Sequence, residues 1–209
     1  MTAHFDVLTI GHSNLQAEDF TTLLRNAGVT AIADVRSVPF SRRFPWFSSK
    51  SLADRLQSRG IAYCALGPSL GGRPDDPTLY CDDVADYEAM AETAAFRLGL
   101  DQVIEGARNY RLCLMCAERE PLDCHRCLLV GRALAKRGCT VGHIVGPDKI
   151  EPHSATEDRL LALAKTGDDL FHDRGARLAE AYRRRNRAIA PRLSDRIRPR
   201  RRAGAFMPS

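Results

Sequence analysis

Phe5-Asp6-Val7-Leu8-Thr9-Ile10-Gly11 is short, rich in apolar and β-branched residues and closed by glycine, and it reads as a buried strand. Downstream, Phe20, Leu23, Leu24 and Ala27 recur at helical spacing over Asp19 to Ala27, and Gly28 stops the pattern. Val29 to Val35 reads as a second strand, Ser51 to Arg59 as a short helix ended by Gly60, and Ile61 to Ala65 as a third strand. Strands alternating with helices in this order predict a parallel sheet with helices on its faces.

The rhythm resumes after an interruption. Gly67 to Asp83 is rich in Gly, Pro and Asp and has no period, and long connections of this kind are usually functional. Asp86 to Asn109 has helical composition, with a break expected at Gly99. Arg111 to Cys116 is a fourth strand, Cys124 to Lys136 a helix, and Cys139 to Val145 a fifth strand. Ser154-Ala155-Thr156-Glu157 has the spacing of a capping box and is expected to start a helix carrying Leu160, Leu161 and Leu163. The fold class is α/β: residues 1–172 form one compact domain whose mainly parallel sheet is flanked by helices. Residues 173–209 are an Arg-rich extension, helical around Ala176 to Tyr182 and expected to be disordered after Pro191, where apolar residues run out.

At 209 residues the chain is long enough for one self-sufficient core and an appendage. A composition 44% hydrophobic and 27% charged excludes fibrous and wholly disordered classes. No apolar run approaches the roughly 20 residues that span a bilayer, and Met1 to Asp6 lacks the plan of a signal peptide, so a cytoplasmic protein without a membrane partner is expected. Seven cysteines without an export signal point to reduced thiols rather than a disulfide framework. Residues 1–172 hold 19 Lys and Arg against 23 Asp and Glu, whereas residues 173–209 hold 12 against 3. Any polyanion contact is thereby assigned to the extension.

In an open α/β sheet, ligands bind beyond the carboxyl ends of the parallel strands. Four such ends carry the versatile side chains. His12 and Ser13 follow the first strand and offer a proton carrier and a hydroxyl to an anion. Asp34 and Arg36 leave the second and are expected on opposite faces, one of them as a buried ion pair or turn cap. Arg42 and Arg43 lie beside Phe44, Trp46 and Phe47, which joins guanidinium forks to flat rings. Gly71 and Gly72 let backbone amides approach an anion.

The densest cluster is Cys113-x-x-Cys116-x7-Cys124-x-x-Cys127. Cys113 and Cys116 are an odd number of strand positions apart and so point to opposite faces, which disfavours a four-thiolate zinc site. Cys116 instead suits a nucleophile or redox thiol at a strand end ahead of a helix amino terminus, with His125 or Glu118 carrying protons and Arg126 clamping an anion.

Together, Ile10-Gly11-His12-Ser13, Asp34-Val35-Arg36-Ser37-Val38-Pro39 with Ser41-Arg42-Arg43, Tyr63 with Leu66-Gly67 and Leu70-Gly71-Gly72, and Cys116-x-Glu118-x-x-Pro121-x-x-Cys124-His125-Arg126 resemble the bacterial domain of unknown function 488 family over about residues 5–146. The resemblance implies a compact α/β domain and a set of positions, Tyr63 among them, and no reaction. Cys116, Glu118, Cys124, His125 and Arg126 belong to its pattern, whereas Cys113 and Cys127 are additions. The layout is also similar to rhodanese and related phosphatase domains, but no Gly-rich loop surrounds Cys116 and Glu118, Glu120 and Asp123 would repel an anionic intermediate, so sulfur transfer rests on layout alone.

The expected function is that of an enzyme acting on a phosphate-bearing ligand, a nucleotide or nucleic-acid component. Cys116, Glu118, His125 and Asp34 form its catalytic set, and His12, Ser13, Arg36, Arg42, Arg43, Tyr63, Gly71, Gly72 and Arg126 its ligand-binding set. No cofactor and no metal is called for in that reading. One rival is a non-catalytic nucleic-acid-binding protein that contacts phosphates through its basic extension. The other is a metal protein ligating through Cys116, Glu118, Cys124 and His125. Adjacent Cys124 and His125 would project about 100° apart on a helix, so joint ligation requires that the chain there is not helical.

Overall fold

Val7–Gly11 (β1) is buried at all five positions, as expected of a strand covered on both sides. It leads to helix Ala17–Asn26 (α1), strand Ala31–Asp34 (β2), a 3-10 turn at Pro45–Phe47, helix Ser49–Gln57 (α2) and strand Ala62–Ala65 (β3). Helix Gly67–Leu70 (α3), a 3-10 turn at Pro77–Leu79, and short strands Tyr80–Cys81 (β4) and Val84–Ala85 (β5) follow. Helices Tyr87–Ala91 (α4) and Ala94–Asn109 (α5) precede strand Leu112–Cys116 (β6), which is again buried throughout. After it come a 3-10 turn at Pro121–Asp123, a π-helical stretch Arg126–Gly131 continued by helix Arg132–Lys136 (α6), strands Val141–Gly146 (β7) and Lys149–Pro152 (β8), and helices His153–Leu163 (α7), Arg174–Ile189 (α8) and Ser194–Ile197 (α9). This computed structural model describes residues 4–164 and 173–197.

Six strands form one sheet in the order β3-β2-β6-β1-β7-β8, parallel except for β8, which returns antiparallel along β7. Gly11 pairs with Cys116 and Asp34 with Met115, so the carboxyl ends of β1, β2 and β6 stand level. Alternation divides the core. Leu8, Ile10, Ile32, Cys113 and Met115 pack under Phe20, Leu24, Leu52 and Leu56 of α1 and α2. Val7, Ala33, Leu114 and Cys116 face Phe96, Leu100, Leu128, Leu160 and Tyr182 of the opposite helical layer.

Several local expectations are revised. The stretch from Gly67 to Asp83 contains α3 and a hairpin, whose turn at Asp82 and Asp83 has φ values of 50° and 69°, the left-handed pair of a tight two-residue turn. Gly99 does not break α5. A side chain there would put its Cβ 2.7 Å from Ser69 Oγ and 2.9 Å from Leu70, so glycine lets α3 settle on α5. The break falls at Thr93, whose hydroxyl accepts from the Phe96 amide at the start of α5. The Ser154 box does not cap α7, which begins at His153 behind Pro152 without a side-chain cap, while Thr156 donates to Glu151 instead. The helix expected from Cys124 begins later, because Cys124 itself is extended at φ −139° and ψ 137°.

The described part of the extension is docked on the domain. Ala181 and Tyr182 of α8 are buried in the core, the Ala85 amide donates to the Pro191 carbonyl, and Leu193 donates to Asp83. Arg174 pairs with Asp158, Arg183 and Arg184 with Glu180, and Arg185 with Asp123. Disorder is expected after Pro191, but Arg192 bridges to Val84 and Ser194–Ile197 is helical, whereas Arg200 to Arg202 lie outside the described residues. Among the described residues no helix is long and apolar enough to cross a membrane.

Candidate active site

The chain leaves β1 and β2 for helices on one face and leaves β6 for the π-helical stretch on the other. Connections that part in this way open a crevice beyond the strand ends. A cavity of about 360 Å3 lies there. Arg36, Ser37 and Phe40 line it from the segment after β2, Gly72 and Arg73 from the loop after α3, and Cys116, Glu118 and His125 from the β6 end. Tyr87, Asp123, Ile189 and Pro191 also line it.

Asp34 and Arg36 do not diverge. Two positions apart on an extended chain they share one side, and Arg36 places Nη2 2.6 Å and Nε 3.2 Å from Asp34 Oδ2 with both residues buried. Tyr63 donates to the same carboxylate at 2.9 Å, and burial followed by the Asp34 charge raises its phenol above the usual range. On the other side, Arg36 Nη1 lies 3.3 Å from His12 Nε2. The His12 ring stacks on Phe47 with centroids 4.1 Å apart. Burial, then the Arg36 charge, lowers its pKa to about 4, so the ring is neutral, donates through Nδ1 to the Ser13 carbonyl and accepts from Arg36. His12, Asp34 and Tyr63 thus fix the guanidinium that faces the cavity.

The second assembly joins Cys116, Glu118, Cys124 and His125. Glu118 Oε2 stands 3.0 Å from Cys116 Sγ and 3.1 Å from Cys124 Sγ, and His125 Nδ1 lies 3.7 and 3.9 Å from the same sulfurs. A hydrogen bond with Cys124, then burial, holds the Cys116 thiol well above its usual range. Burial opposes ionisation at Cys124, yet its bond from Cys116 and the Arg126 charge hold that thiol well below. The opposite shifts of the two thiols have one common source, the hydrogen bond between them. Burial raises the thiols of Cys113 and Cys127, which sit in separate parts of the core.

Other expected residues serve as scaffolding or lie outside the cavity. Arg126 is fully buried and donates to the carbonyls of Glu118 and Arg119, pinning the loop that carries Glu118. Ser13 adopts φ 48° while its amide donates to Ala117 and its hydroxyl to Asn14. Arg42 and Arg43 are exposed, and Arg43 lies over the Phe44 ring rather than against the cavity. Gly71 packs on Ser37, whereas Gly72 lies so close to the His125 ring that a Cβ would come 2.7 Å from its Cγ.

Two features escaped the sequence reading. Arg73 faces the cavity, although only the glycines before it had been singled out as ligand-binding. Behind the sheet, Thr9 contacts His143 Nδ1 at 2.7 Å, His143 Nε2 contacts His153 Nδ1 at 3.0 Å, and His153 Nε2 contacts the Tyr182 hydroxyl at 3.0 Å, which donates to Glu157. Burial lowers His143 well below its usual range and His153 to about 4. With both rings neutral, one proton per link runs from Thr9 to Glu157, and every ring nitrogen is engaged.

A family model described as domain of unknown function DUF488 matches residues 16–133, more than half of the chain. No curated protein and no solved structure matches.

Proposed function

This chain belongs to the domain of unknown function DUF488 family, and we propose that in this member the strand-end cavity is the active site of an enzyme acting on a phosphate-bearing small molecule, a nucleotide or nucleic-acid component. The observation that carries the reading is the meeting of two guanidiniums, Arg36 and Arg73, with Cys116, Glu118 and His125 around a single cavity. Its volume of about 360 Å3 suits a small molecule.

Arg36 is the rigid clamp, because Asp34 and His12 hold it before any ligand arrives and little ordering remains for binding to supply. Arg73 is exposed at the mouth and adds a second fork for an anion. Of the two carboxylates on the wall, Asp123 is paired with Arg185, which lessens repulsion of a phosphate. Cys116, Glu118 and His125 meet the bound molecule from the β6 end.

Calorimetry and thermal melting with inorganic phosphate and a panel of nucleoside monophosphates test this reading. At least one compound should raise the melting temperature, and Arg73→Ala, at an exposed position, should weaken its binding about tenfold or more, the size of a charge-assisted hydrogen bond. A panel with no binder, or equal binding by Arg73→Ala, would overturn it.

A further inference from the structure

We propose that Cys116, Glu118, Cys124 and His125 bind one divalent metal ion of the zinc class. Ion binding stands on the geometry of these four side chains alone, whereas use of the ion on a phosphate-bearing substrate rests on the reading above.

The four donor atoms all lie within 4.8 Å of one another. An ion with zinc bond lengths of about 2.3 Å to sulfur and 2.0–2.1 Å to nitrogen holds those donors about 3.5–3.6 Å apart in a tetrahedron. The sulfur-to-nitrogen separations here are 3.7 and 3.9 Å, so the ion needs shifts of only a few tenths of an ångström. The carboxylate, at 3.0 and 3.1 Å from the sulfurs, must back away by about half an ångström to reach the same spacing, and it has the cavity behind it.

The imidazole is set for ligation. Its Nε2 lies 2.9 Å from the Val35 carbonyl, which only accepts, so Nε2 carries a proton and Nδ1 is the nitrogen turned to the sulfurs, the one that would ligate. Metal-binding histidines characteristically donate their remote N–H to a carbonyl or carboxylate. The backbone amide of Arg126 also points at Cys124 Sγ, at 3.4 Å. Because Cys124 is extended and the helix starts after it, the 100° divergence of adjacent helical side chains does not apply, and Cys124 and His125 converge.

Two sulfurs and an imidazole select a borderline-soft tetrahedral ion over magnesium or calcium. Each thiol that is protonated before binding gives its proton to solvent as its metal bond forms. Cys116, Cys124 and His125 are buried, whereas Glu118 is exposed on the cavity side. Glu118 is accordingly the ligand that yields to water or substrate, the open position of a catalytic rather than a purely structural site.

The full chain should carry about one zinc by elemental analysis. After removal by a chelator, added Co2+ should give the intense visible bands of a tetrahedral ion and a sulfur-to-cobalt charge-transfer band. Cys116→Ser and Cys124→Ser should each weaken Zn2+ binding by about 100-fold or more, Cys113→Ala should leave it unchanged, and Glu118→Gln should retain the ion. Folded wild-type protein that takes up no Zn2+, an octahedral cobalt spectrum, or stoichiometric zinc in the Cys116→Ser, Cys124→Ser double variant would overturn the site. Metal uptake without phosphate binding rejects only the ligand reading, and phosphate binding without metal uptake rejects only this one.

Discussion

Arg36 keeps its Nη1 3.3 Å from the Nε2 of His12, an imidazole that is useful to it only while neutral. The same holds behind the sheet, where His153 accepts from one partner and donates to another.

Both rings have pKa values lowered to about 4, chiefly by burial, against an ordinary 6.5. The unfolded chain binds their protons first, so the stability they contribute is complete above pH 6.5 and is lost as pH falls toward 4. Each should cost about 2 kcal/mol by pH 5. Urea unfolding at pH 7.5 and 5.0 should show that loss, and His153→Gln should flatten the difference. An unchanged midpoint across this range would contradict the buried neutral assignment.

Removing the carboxylate under the clamp strands a buried guanidinium. Asp34→Ala should therefore cost about 3–5 kcal/mol, whereas Tyr63→Phe, which deletes one hydrogen bond from a half-buried ring, should cost about 1 kcal/mol. The double variant Asp34→Leu with Arg36→Met should recover much of the Asp34 loss while abolishing phosphate affinity. Denaturant midpoints for the set check the order.

Gly11 is irreplaceable for steric reasons. A Cβ there would sit 1.7 Å from the Glu118 carbonyl oxygen, which the sheet and Arg126 prevent from moving. Gly11→Ala should exceed the roughly 1–3 kcal/mol of ordinary overpacking. Gly106→Ala, inside α5 and with Leu112 of β6 3.5 Å from the new Cβ, should instead stabilise by up to about 1 kcal/mol. Equal melting temperatures for the two variants would show that the crossing of β1 and the Glu118 loop is not rigid.

Ending the chain at residue 172 removes Ala181, Tyr182 and Ala190 from the core and should lower the melting temperature sharply. Ending it at residue 197 should leave melting unchanged while deleting Arg198, Arg200, Arg201 and Arg202. If those arginines contact nucleic acid, the log–log salt slope of duplex-DNA binding should shrink by about 0.9 for each phosphate released. Retention of the full slope would assign polyanion contact to residues before 198, where Arg174, Arg183, Arg184 and Arg185 are already paired with carboxylates.

Four of the five parallel strands were legible because a strand largely buried on both faces is a continuous apolar run, as in Val7–Gly11 and Leu112–Cys116, whereas the mostly exposed edge strand Ala62–Ala65 was legible from the helix and Gly60 before it. The return strand Lys149–Pro152 was not, since it is only partly buried and has a proline at its end. Gly99 misled because a glycine that breaks a helix and one that admits a neighbour look alike in one sequence. The strand-end positions of Arg36, Cys116 and Glu118 followed from topology. The convergence of Cys124 with His125 did not, because it depends on one residue remaining extended before a helix. His143, His153 and Tyr182 are isolated among apolar residues, and only folding joins them.

Ile189 and Pro191 close one side of the cavity, yet both lie beyond residue 133, where the family match ends. The side chains proposed to act on a ligand and part of the wall around them thus come from different parts of the chain. Substitution in helix α8 or just after it can reshape the cavity without disturbing Cys116, Glu118, Cys124 or His125. If the cavity is the active site proposed above, substrate choice and chemistry are separately evolvable, and a relative with the same four side chains need not accept the same molecule.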